Sequence, residues 1–251
     1  MSEQLLFSIV TPSFNSEKTI KKTIESVLNQ SYPNYEYIIV DGGSKDNTVK
    51  IIESYIPLFG GKLRYVSEKD KGIYDAMNKG IDMARGEIVG IINSDDYYEN
   101  DCLETVVKHY DPNKKYQVIY GALRFLDQAG EEIEISISKH NNHKKMIFHP
   151  SMFVSRNIYL DLFMYNTKFK YSSDLEFRYK LAKNSEIQYV PVYQVLSNYM
   201  IGGASYSTEA KIETNEIEYK YHYISRMRFW INAIKFRIKY ILIKLHIYDE
   251  G

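Results

Sequence analysis

The sequence has few of the features that mark secreted, membrane-spanning or nucleic-acid-binding proteins. Its 251 residues include one cysteine, Cys102, which excludes an intrachain disulfide and a cysteine-based zinc site. No run of about 18 uncharged apolar residues is present, so we expect no membrane-spanning helix. The first residues lack the basic start and the cleavage site of a signal peptide, and none is expected. The 32 basic and 32 acidic residues cancel, so the composition gives no indication of nucleic-acid binding.

The first half of the sequence alternates short apolar runs with amphipathic stretches. Each run is rich in β-branched residues and predicts a buried strand. The four runs are at residues 5–10, 35–40, 62–66 and 87–92. Apolar residues at helical spacing fill the gaps, and Gly86 is expected to end the third helix. Strands that alternate with helices predict an α/β fold with a parallel sheet.

The second half is less regular. Residues 118–125, 132–138 and 187–190 predict further strands, and residues 174–182 predict a helix. No repeat or clean linker separates the two halves.

Ligands of parallel α/β sheets bind beyond the C-terminal ends of the strands, and this sequence places polar residues there. Asp95 and Asp96 follow the fourth run; adjacent carboxylates repel each other, and a divalent cation would relieve that repulsion. A strand-end turn with solvated acids, or a helix cap, explains the same pair. Asp41 ends the second run, where a carboxylate can accept the N3–H of uracil or thymine, and Gly42 and Gly43 permit a tight turn. The alternative is that Asp41 only caps the turn.

Three stretches have an order and spacing that are specific in combination, although no single piece is. They are SIVTPSFN at 8–15, SVLNQSYP at 26–33 with YIIVDGGS at 37–44, and KGIYDAMNKG at 71–80 with GE at 86–87 and NSDD at 93–96. Together they resemble the large inverting family of glycosyltransferases with the GT-A fold, over roughly residues 7–205. The resemblance implies a Rossmann-like, mostly parallel sheet flanked by helices. It also implies a nucleotide-sugar donor, with a UDP-sugar favoured. The members that look most similar build bacterial O-antigens, capsules and exopolysaccharides.

The resemblance also implies a role for each matched residue. The nucleoside pocket would be lined by Thr11, Pro12, Phe14 and Asn15, with Asp41 reading the pyrimidine. The nucleotide or donor sugar would be faced by Lys71, Asp75 and Asn78. The diphosphate and a cation, Mn²⁺ or Mg²⁺, would be held by Ser94, Asp95 and Asp96, with Asp96 or Asp95 on the metal. The sequence departs from the family at two positions, Gly42 and Asn93, where members often have a further acid, and this affects the choice of donor.

Inverting transfer needs one base that takes the proton of the acceptor hydroxyl. The family places this base downstream in an acid-rich motif that opens a helix, which here is YSSDLEFR at 171–178. Asp174 is the candidate base, Glu176 is the second choice, and Arg178 would pair with one of them. The alternative is that Ser173 or Asp174 is only a helix N-cap.

Two further segments resemble parts of the family that lie near the acceptor. His149 would bind the acceptor or the leaving phosphate; a zinc site with His140 and His143 is disfavoured by irregular spacing. Gly202 and Gly203 resemble a loop that closes over the site, although a plain surface turn explains them nearly as well.

A basic tail follows the catalytic domain. Residues 226–248 contain six lysines and arginines and no acid, and helical projection gives two basic ridges that separate two apolar faces. One face would pack on protein, in the same chain or in a homodimer, and the other would enter a lipid headgroup region. The alternative is a helix wholly buried in an oligomer. We therefore expect a catalytic domain over 1–205, with a nucleotide-sugar half (1–98) and an acceptor half (99–205), and a helical tail over 206–251.

These observations predict a metal-dependent, non-processive, inverting glycosyltransferase on the cytoplasmic face of the cell membrane. Its acceptor would be a glycan or a glycan linked to polyprenyl diphosphate. The Gln-x-x-Arg-Trp motif of processive synthases is absent, which predicts one sugar per encounter. A sugar nucleotidyltransferase would have glycines and a basic residue after the first strand, where this chain has neither. The non-enzymatic alternative is a catalytically silent scaffold subunit of a polysaccharide assembly complex.

Overall fold

The computed structural model describes residues 5–137, 147–202 and 207–245, and its strands form one mixed sheet with helices on both faces. The strands are β1 (Phe7–Ser13), β2 (Tyr35–Asp41), β3 (Leu63–Ser67), β4 (Ile88–Ile91), β5 (Tyr97–Tyr98), β6 (Gln117–Leu126), β7 (Glu132–Ile137), β8 (Met152–Ser155) and β9 (Gln188–Met200). The helices are α1 (Ile20–Leu28), α2 (Thr48–Tyr55), α3 (Ile73–Met83), α4 (Cys102–Val107), α5 (Arg156–Asp161), α6 (Ser173–Lys183), α7 (Thr208–Lys220) and α8 (Arg226–Lys244). Short 3₁₀ helices span Ile56–Phe59 and His149–Ser151.

The first four strands are parallel and lie in the order β3-β2-β1-β4. Successive side chains of a strand point to opposite faces of the sheet. In β2, Tyr37 and Ile39 pack with residues of α1 and α2, whereas Ile38 and Val40 pack with residues of α3. Burial on both faces explains the continuous apolar runs in the sequence, and the predicted parallel α/β sheet is confirmed.

The other half of the sheet is mostly antiparallel, and the sequence predicts it only in part. β8 is antiparallel to both β4 and β6, and β9 runs parallel to β6. The sequence predicts a strand at 187–190, but β9 has 13 residues because it continues past Pro191 along β6. Its far end pairs with β5, which directly follows the acids after β4.

The expected role of Gly86 as the end of the third helix is wrong. Helix α3 ends at Met83, and Ala84 is already extended with φ −67° and ψ 140°. Gly86 instead passes close to the start of β1, where a β-carbon at this position would lie 2.5 Å from the Leu6 carbonyl oxygen. Glycine is therefore required by the close approach of two backbone segments rather than by a helix cap.

The two tail helices begin at true N-caps, since Ser207 and Ser225 each accept a hydrogen bond from a backbone N–H of the following turn. Helix α7 packs on α6 and on α8. Tyr219 of α7 stacks on Phe229 of α8 at 4.5 Å between ring centroids. None of the helices in the described ranges is long and apolar enough to cross a membrane.

Candidate functional site

The residues at the end of β1 are buried, whereas those of the loop that follows are exposed. Thr11 is fully buried and its hydroxyl accepts a 3.0 Å hydrogen bond from Tyr37, so its side chain faces the core, and Pro12 is buried beside it. Phe14, directly after the strand, is 59% exposed. Asn15 adopts φ 49° and its side-chain oxygen accepts a hydrogen bond from Lys45 N–H, which ties this loop to the loop after β2. Of the four residues predicted to line a nucleoside pocket, Thr11 and Pro12 are buried and Phe14 and Asn15 are exposed.

Asp41 organises the turn at the end of β2. Its fully buried carboxylate accepts five hydrogen bonds from the chain itself. The donors are the hydroxyls of Ser13, Ser44 and Ser67 and the backbone N–H groups of Gly43 and Ser44. The weakest of these by length is the one from Ser13, at 3.3 Å. The structure therefore gives Asp41 the turn-capping function that the sequence left as an alternative, and its reading of a pyrimidine stays a prediction.

The loop after β4 is tied to neighbouring strand ends. The hydroxyls of Ser94 and Ser16 lie 2.7 Å apart, and Thr23 of α1 donates a 2.7 Å hydrogen bond to the backbone oxygen of Asp96. From the other side, Met200 N–H at the end of β9 donates to Asp96 Oδ1 at 3.2 Å. Residues from distant parts of the chain thus fix the predicted metal and diphosphate motif.

The surroundings of Asp95 and Asp96 disfavour the ionised form of their carboxyl groups. Burial raises the pKa of Asp96 well above its usual value and the Asp95 carboxylate adds to the rise; burial also raises the pKa of Asp95. Beside them, Oδ1 of Asn93 is buried and has no hydrogen-bond partner within the described residues. A divalent cation would favour the ionised form of both carboxylates.

The donor set fits Mg²⁺ or Mn²⁺ bound together with a diphosphate. The described ranges contain no group of three or more His, Cys, Asp or Glu side chains that could hold a metal ion alone. Two carboxylates with phosphate oxygens and water complete the coordination that Mg²⁺ usually has in nucleotide sites. Asp95 and Asp96 are the residues that would hold such an ion.

Helix α3 begins beside this edge of the sheet. Lys71, just before the helix, is exposed, and its ammonium has no ion-pair partner in the described part of the chain. Asp75 accepts a 3.1 Å hydrogen bond from Lys71 N–H and lies 3.5 Å from the ammonium of Lys79. Asn78 uses both ends of its amide on the backbone of Tyr165, at 2.9 and 3.1 Å. Lys71 is thus available to a ligand, whereas Asn78 is engaged in joining α3 to the segment before α6.

The predicted base, Asp174, is held between two side chains. Tyr74 donates a 2.9 Å hydrogen bond to its Oδ1, and Arg178 lies 3.4 Å from its Oδ2. Arg178 also donates to the Ile147 carbonyl oxygen at 3.0 Å. The N-cap of α6 is Ser172, and Asp174 lies within the first turn, so the cap alternative is not what the structure shows.

Tyr74 is the functional candidate that the sequence reading missed. Burial raises its pKa well above the usual value, and the Asp174 carboxylate adds to the rise, so the phenol remains a hydrogen-bond donor. Its position within the quoted stretch at 71–80 was the available signal. A contact with a residue 100 positions away is not visible in that stretch alone.

His149 lies close to the same cluster. It is buried, and its ring packs edge-on to that of Tyr165 with 6.5 Å between the ring centroids. Its Nε2 has no hydrogen-bond partner within the described residues. Burial lowers the pKa of His149 to about 4, although the nearby Asp174 carboxylate opposes the shift. Contact with an acceptor or a leaving phosphate stays a prediction. His140 and His143 lie outside the described residues.

Glu176 faces the tail. Its carboxylate is buried, and it pairs with Lys220 of α7 at 2.5 Å and with Lys180 at 3.3 Å. Burial opposes its ionisation, but the hydrogen bond from Lys220 and the nearby lysine charges lower its pKa overall. Gly202 has φ 102°, a conformation that favours glycine, and Gly203 lies outside the described residues.

The sequence profile described as Glycosyl transferase family 2 matches residues 8–166, which is more than half of the chain. The chain belongs to glycosyl transferase family 2. This family 2 glycosyltransferase is 27% identical over 207 residues to a protein of Mycobacterium bovis named PGL/p-HBAD biosynthesis glycosyltransferase. That match covers 80% of this chain and 79% of the mycobacterial protein.

Solved structures of glycosyltransferases share the fold of this family 2 glycosyltransferase. TarS 1–349 of S. aureus in complex with UDP-GlcNAc matches with a TM-score of 0.66 and 18% identity, over 92% of this chain and 71% of that one. The chain covers 39% of a longer TarS structure. The mannosyltransferase PcManGT of Pyrobaculum calidifontis, in complex with GDP-Man and Mn²⁺, matches with a TM-score of 0.67 and 16% identity, over 90% of this chain and 66% of that one. The predicted GT-A fold and glycosyltransferase class are confirmed.

Proposed function

We propose that this family 2 glycosyltransferase transfers one sugar from a UDP-sugar to a hydroxyl acceptor with inversion, and that a divalent cation is required. The observation that carries the proposal is the pairing of two groups at one edge of the sheet. Asp96 is buried and Asp95 half-buried, and the pair suits a cation and a diphosphate; Asp174 is held in place by Tyr74 and Arg178.

The donor side of the reaction uses the loop after β4 and the start of α3. Asp95 and Asp96 would hold Mn²⁺ or Mg²⁺, and Ser94 would face the diphosphate. When bound, the cation supplies positive charge to the departing nucleoside diphosphate. The exposed ammonium of Lys71 adds a second positive charge on the same side. Phe14 offers an exposed aromatic face beyond β1 for the nucleoside.

The acceptor side needs an ionised carboxylate with a fixed orientation. Asp174 takes the proton of the attacking hydroxyl as that hydroxyl bonds to the anomeric carbon. Its side chain is 29% exposed, so an acceptor can reach it, while Tyr74 and Arg178 each hold one of its oxygens. These contacts restrict rotation of the base and keep it ready for one geometry of attack.

The test is nucleotide release and sugar transfer from a panel of UDP-, GDP- and dTDP-sugars, with Mn²⁺ and with EDTA. We expect release from UDP-sugars that EDTA abolishes, and a loss of at least about a hundredfold in both Asp96→Asn and Asp174→Asn. Asp82→Asn is the matched control, since it removes an exposed carboxylate from the same helix as Tyr74 and should leave activity unchanged.

Two results would contradict the proposal. Full activity in EDTA would show that no divalent cation is required. Full activity of Asp174→Asn would show that Asp174 is not the base. Metal-dependent binding of UDP without turnover of any sugar, in the presence of a membrane extract as a source of acceptor, would favour the silent scaffold. The anomeric configuration of the product, read by NMR, tests inversion directly.

The acceptor class is a glycan or a lipid-linked glycan of a bacterial surface polysaccharide. The mycobacterial relative is named PGL/p-HBAD biosynthesis glycosyltransferase, which supports a role of this chain in a biosynthetic glycosyl transfer. The proposed addition of a single sugar is supported by the absence of a Gln-x-x-Arg-Trp motif from the sequence. Mass spectrometry of the product after long incubation would reveal a ladder of additions if the enzyme were processive.

The surface of α8 supports attachment to the inner face of the cell membrane. A stripe along the helix contains seven apolar side chains that are each at least 53% exposed. They are Met227, Trp230, Ile231, Ile234, Ile238, Ile241 and Leu245. At about 3.6 residues per turn, the six basic residues of α8 flank this stripe on both sides, and the helix has no acid. Apolar side chains bordered by cations fit an anionic lipid surface, where each cation near the surface contributes about 1 kcal/mol.

Liposome flotation tests the membrane contact. We expect binding to vesicles with 30% phosphatidylglycerol, weaker binding to pure phosphatidylcholine, and loss of binding in the double variant Ile234→Asp/Ile238→Asp. The control is Ile135→Asp, an exposed isoleucine on β7. Equal binding by both variants would exclude the apolar stripe of α8 as the membrane contact. A concentration-dependent dimer that the double variant abolishes would instead assign the stripe to contact with a second copy of the chain.

A further inference from the structure

The carboxylate of Glu213, on α7, lies at the start of the helix that carries Asp174. Its Oε1 accepts a 2.8 Å hydrogen bond from the backbone N–H of Lys170. Its Oε2 accepts those of Tyr171 and Ser172, at 2.8 and 3.0 Å. Ser172 is the N-cap of α6, and Asp174 lies in the first turn of the helix. One side chain therefore fixes the backbone of the three residues that lead into α6.

A negatively charged acceptor suits this position. Successive backbone N–H groups that converge on one point form a concave site for an anion, and the N-terminus of α6 adds the positive end of the helix dipole. Hydrogen bonds from N–H groups to a carboxylate are about twice as strong as those between neutral groups. The three contacts of Glu213 therefore restrain this segment more firmly than a neutral side chain would.

Helix α6 does not provide an equivalent restraint of its own. The hydroxyl of its N-cap, Ser172, accepts no hydrogen bond from the first turn and instead donates at 3.2 Å to the carbonyl oxygen of Ala210 on α7. Arg178, which contacts the Asp174 carboxylate, belongs to the same helix and moves with it. The start of α6 is thus positioned from outside, by Tyr74 of α3 and by α7.

Helix α7 is itself anchored on the tail helix α8. The buried side chain of Asn215 donates a 3.1 Å hydrogen bond to the carbonyl oxygen of Phe229. Its Oδ1 accepts a 2.9 Å hydrogen bond from the side-chain amide of Asn232. Asn215 lies two residues after Glu213, so the carboxylate projects from a fixed part of α7.

We infer that Glu213 is a positioning residue for the transfer reaction, which sets the place of the Asp174 carboxylate through the backbone of residues 170–172. The inference rests on the proposed function, because it assumes that Asp174 is the base. The hydrogen bonds that Glu213 accepts within the described residues come from this segment, and none comes from the loop of Asp95 and Asp96. Its loss should therefore affect the rate of transfer and not the binding of the donor.

The variant Glu213→Gln tests the role of the second oxygen with little change in size. A glutamine amide has one oxygen, so its NH₂ group faces at least one of the three N–H groups whichever way the amide turns. Glu216→Gln is the matched control, because it makes the same change at an exposed position of the same helix. The readouts are steady-state kinetics with varied UDP-sugar, calorimetry of UDP binding with Mn²⁺, and amide hydrogen exchange of a peptide that covers residues 168–178.

We expect Glu213→Gln to lower kcat about fivefold to fiftyfold, with the KM for the UDP-sugar and the affinity for UDP within about twofold of the wild type. Exchange of the amides at 170–172 should become faster, since they lose part of their shared acceptor. The control should match the wild type in all three measurements. The kcat is expressed per UDP-binding site found by calorimetry, so that an unfolded fraction of the variant does not count as a loss of rate.

Three results would overturn the inference and leave the proposed function intact. Faster exchange with an unchanged kcat per site would mean that the segment is anchored without effect on the base. A loss of activity that only follows the number of UDP-binding sites would make Glu213 a structural residue. A lower kcat without faster exchange would mean that Glu213 acts in another way. Full activity of Asp174→Asn, by contrast, would overturn the proposed base and this inference together.

Discussion

The hydroxyl of Tyr74 donates a 2.9 Å hydrogen bond to Oδ1 of Asp174 and so joins α3 to α6. Helix α3 begins on the proposed donor side of the site, and α6 carries the predicted base. One hydrogen bond therefore orients the base relative to the donor. This relationship gives the first prediction.

We expect Tyr74→Phe to lower kcat about tenfold to a hundredfold, because Asp174 loses one of its two fixed contacts. The KM for the UDP-sugar should stay within about twofold, since the hydroxyl of Tyr74 contacts Asp174 and not Asp95 or Asp96. Steady-state kinetics with varied donor separates the two parameters. Tyr65→Phe is the control, because it removes a similar tyrosine–carboxylate hydrogen bond, to Glu53, away from the site. A loss of thermal stability with unchanged kcat would make Tyr74 a structural residue only.

Removal of the Asp96 carboxylate should separate metal binding from folding. Burial and Asp95 both oppose the ionised form of Asp96, so Asp96→Asn should be at least as stable as the wild type in the presence of EDTA. Addition of Mn²⁺ and UDP at about 100 times the dissociation constant should stabilise the wild type by about 3 kcal/mol and the variant by much less. Thermal unfolding with and without ligand measures both effects. Equal stabilisation of the two proteins would show that Asp96 holds no cation.

The pair of Glu176 and Lys220 should contribute to stability. After Lys220→Ala, the ion-pair partner that remains for this buried carboxylate among the described residues is Lys180, 3.3 Å away. We expect the free energy of unfolding to fall by about 1–2 kcal/mol, because the lysine is itself half exposed. Urea denaturation measures the change, and Lys211→Ala on the exposed side of α7 is the control. If the two variants lose the same stability, the buried pair is not the cause.

His149 gives a pH-dependent prediction. Its pKa falls from 6.5 to about 4 on folding. Between these two pH values, the unfolded chain binds a proton at this histidine and the folded protein does not. The residue therefore removes stability as the pH falls through this range. Relative to His149→Gln, the wild type should lose about 2 kcal/mol of unfolding free energy between pH 7 and pH 5. Denaturation curves at the two pH values test this, and parallel behaviour of both proteins would exclude a buried neutral histidine.

Sequence patterns predict the parallel half of the sheet well, because each of its strands is buried on both faces and bounded by an amphipathic helix. They predict β9 only in part. Pro191 and polar residues such as Gln194 and Ser197 are unfavourable to a strand in the sequence pattern, but pairing with β6 stabilises the strand through them. The four-residue strand β8 carries too little pattern to be recognised alone.

The candidate site shows a similar division. The position of Asp95 and Asp96 after a strand follows from local pattern, and so does the position of Asp174 at the start of a helix. The direction of a side chain does not. Thr11 turns toward Tyr37, and Asn78 holds the backbone of Tyr165, a partner 87 residues away. Such pairings depend on how the elements pack, which no single stretch of sequence contains.

Helix α7 of the tail also supports the segment that precedes α6. Glu213 accepts hydrogen bonds from three consecutive backbone N–H groups, those of Lys170, Tyr171 and Ser172, at 2.8 to 3.0 Å. These residues directly precede the helix that carries Asp174. A shortened protein that ended at residue 205 would lose this acceptor together with Lys220, and would leave the segment before the helix of the predicted base unsupported. We therefore expect that the smallest piece of this chain that folds with the predicted base in place extends through α7, beyond the last residue that the family resemblance reaches.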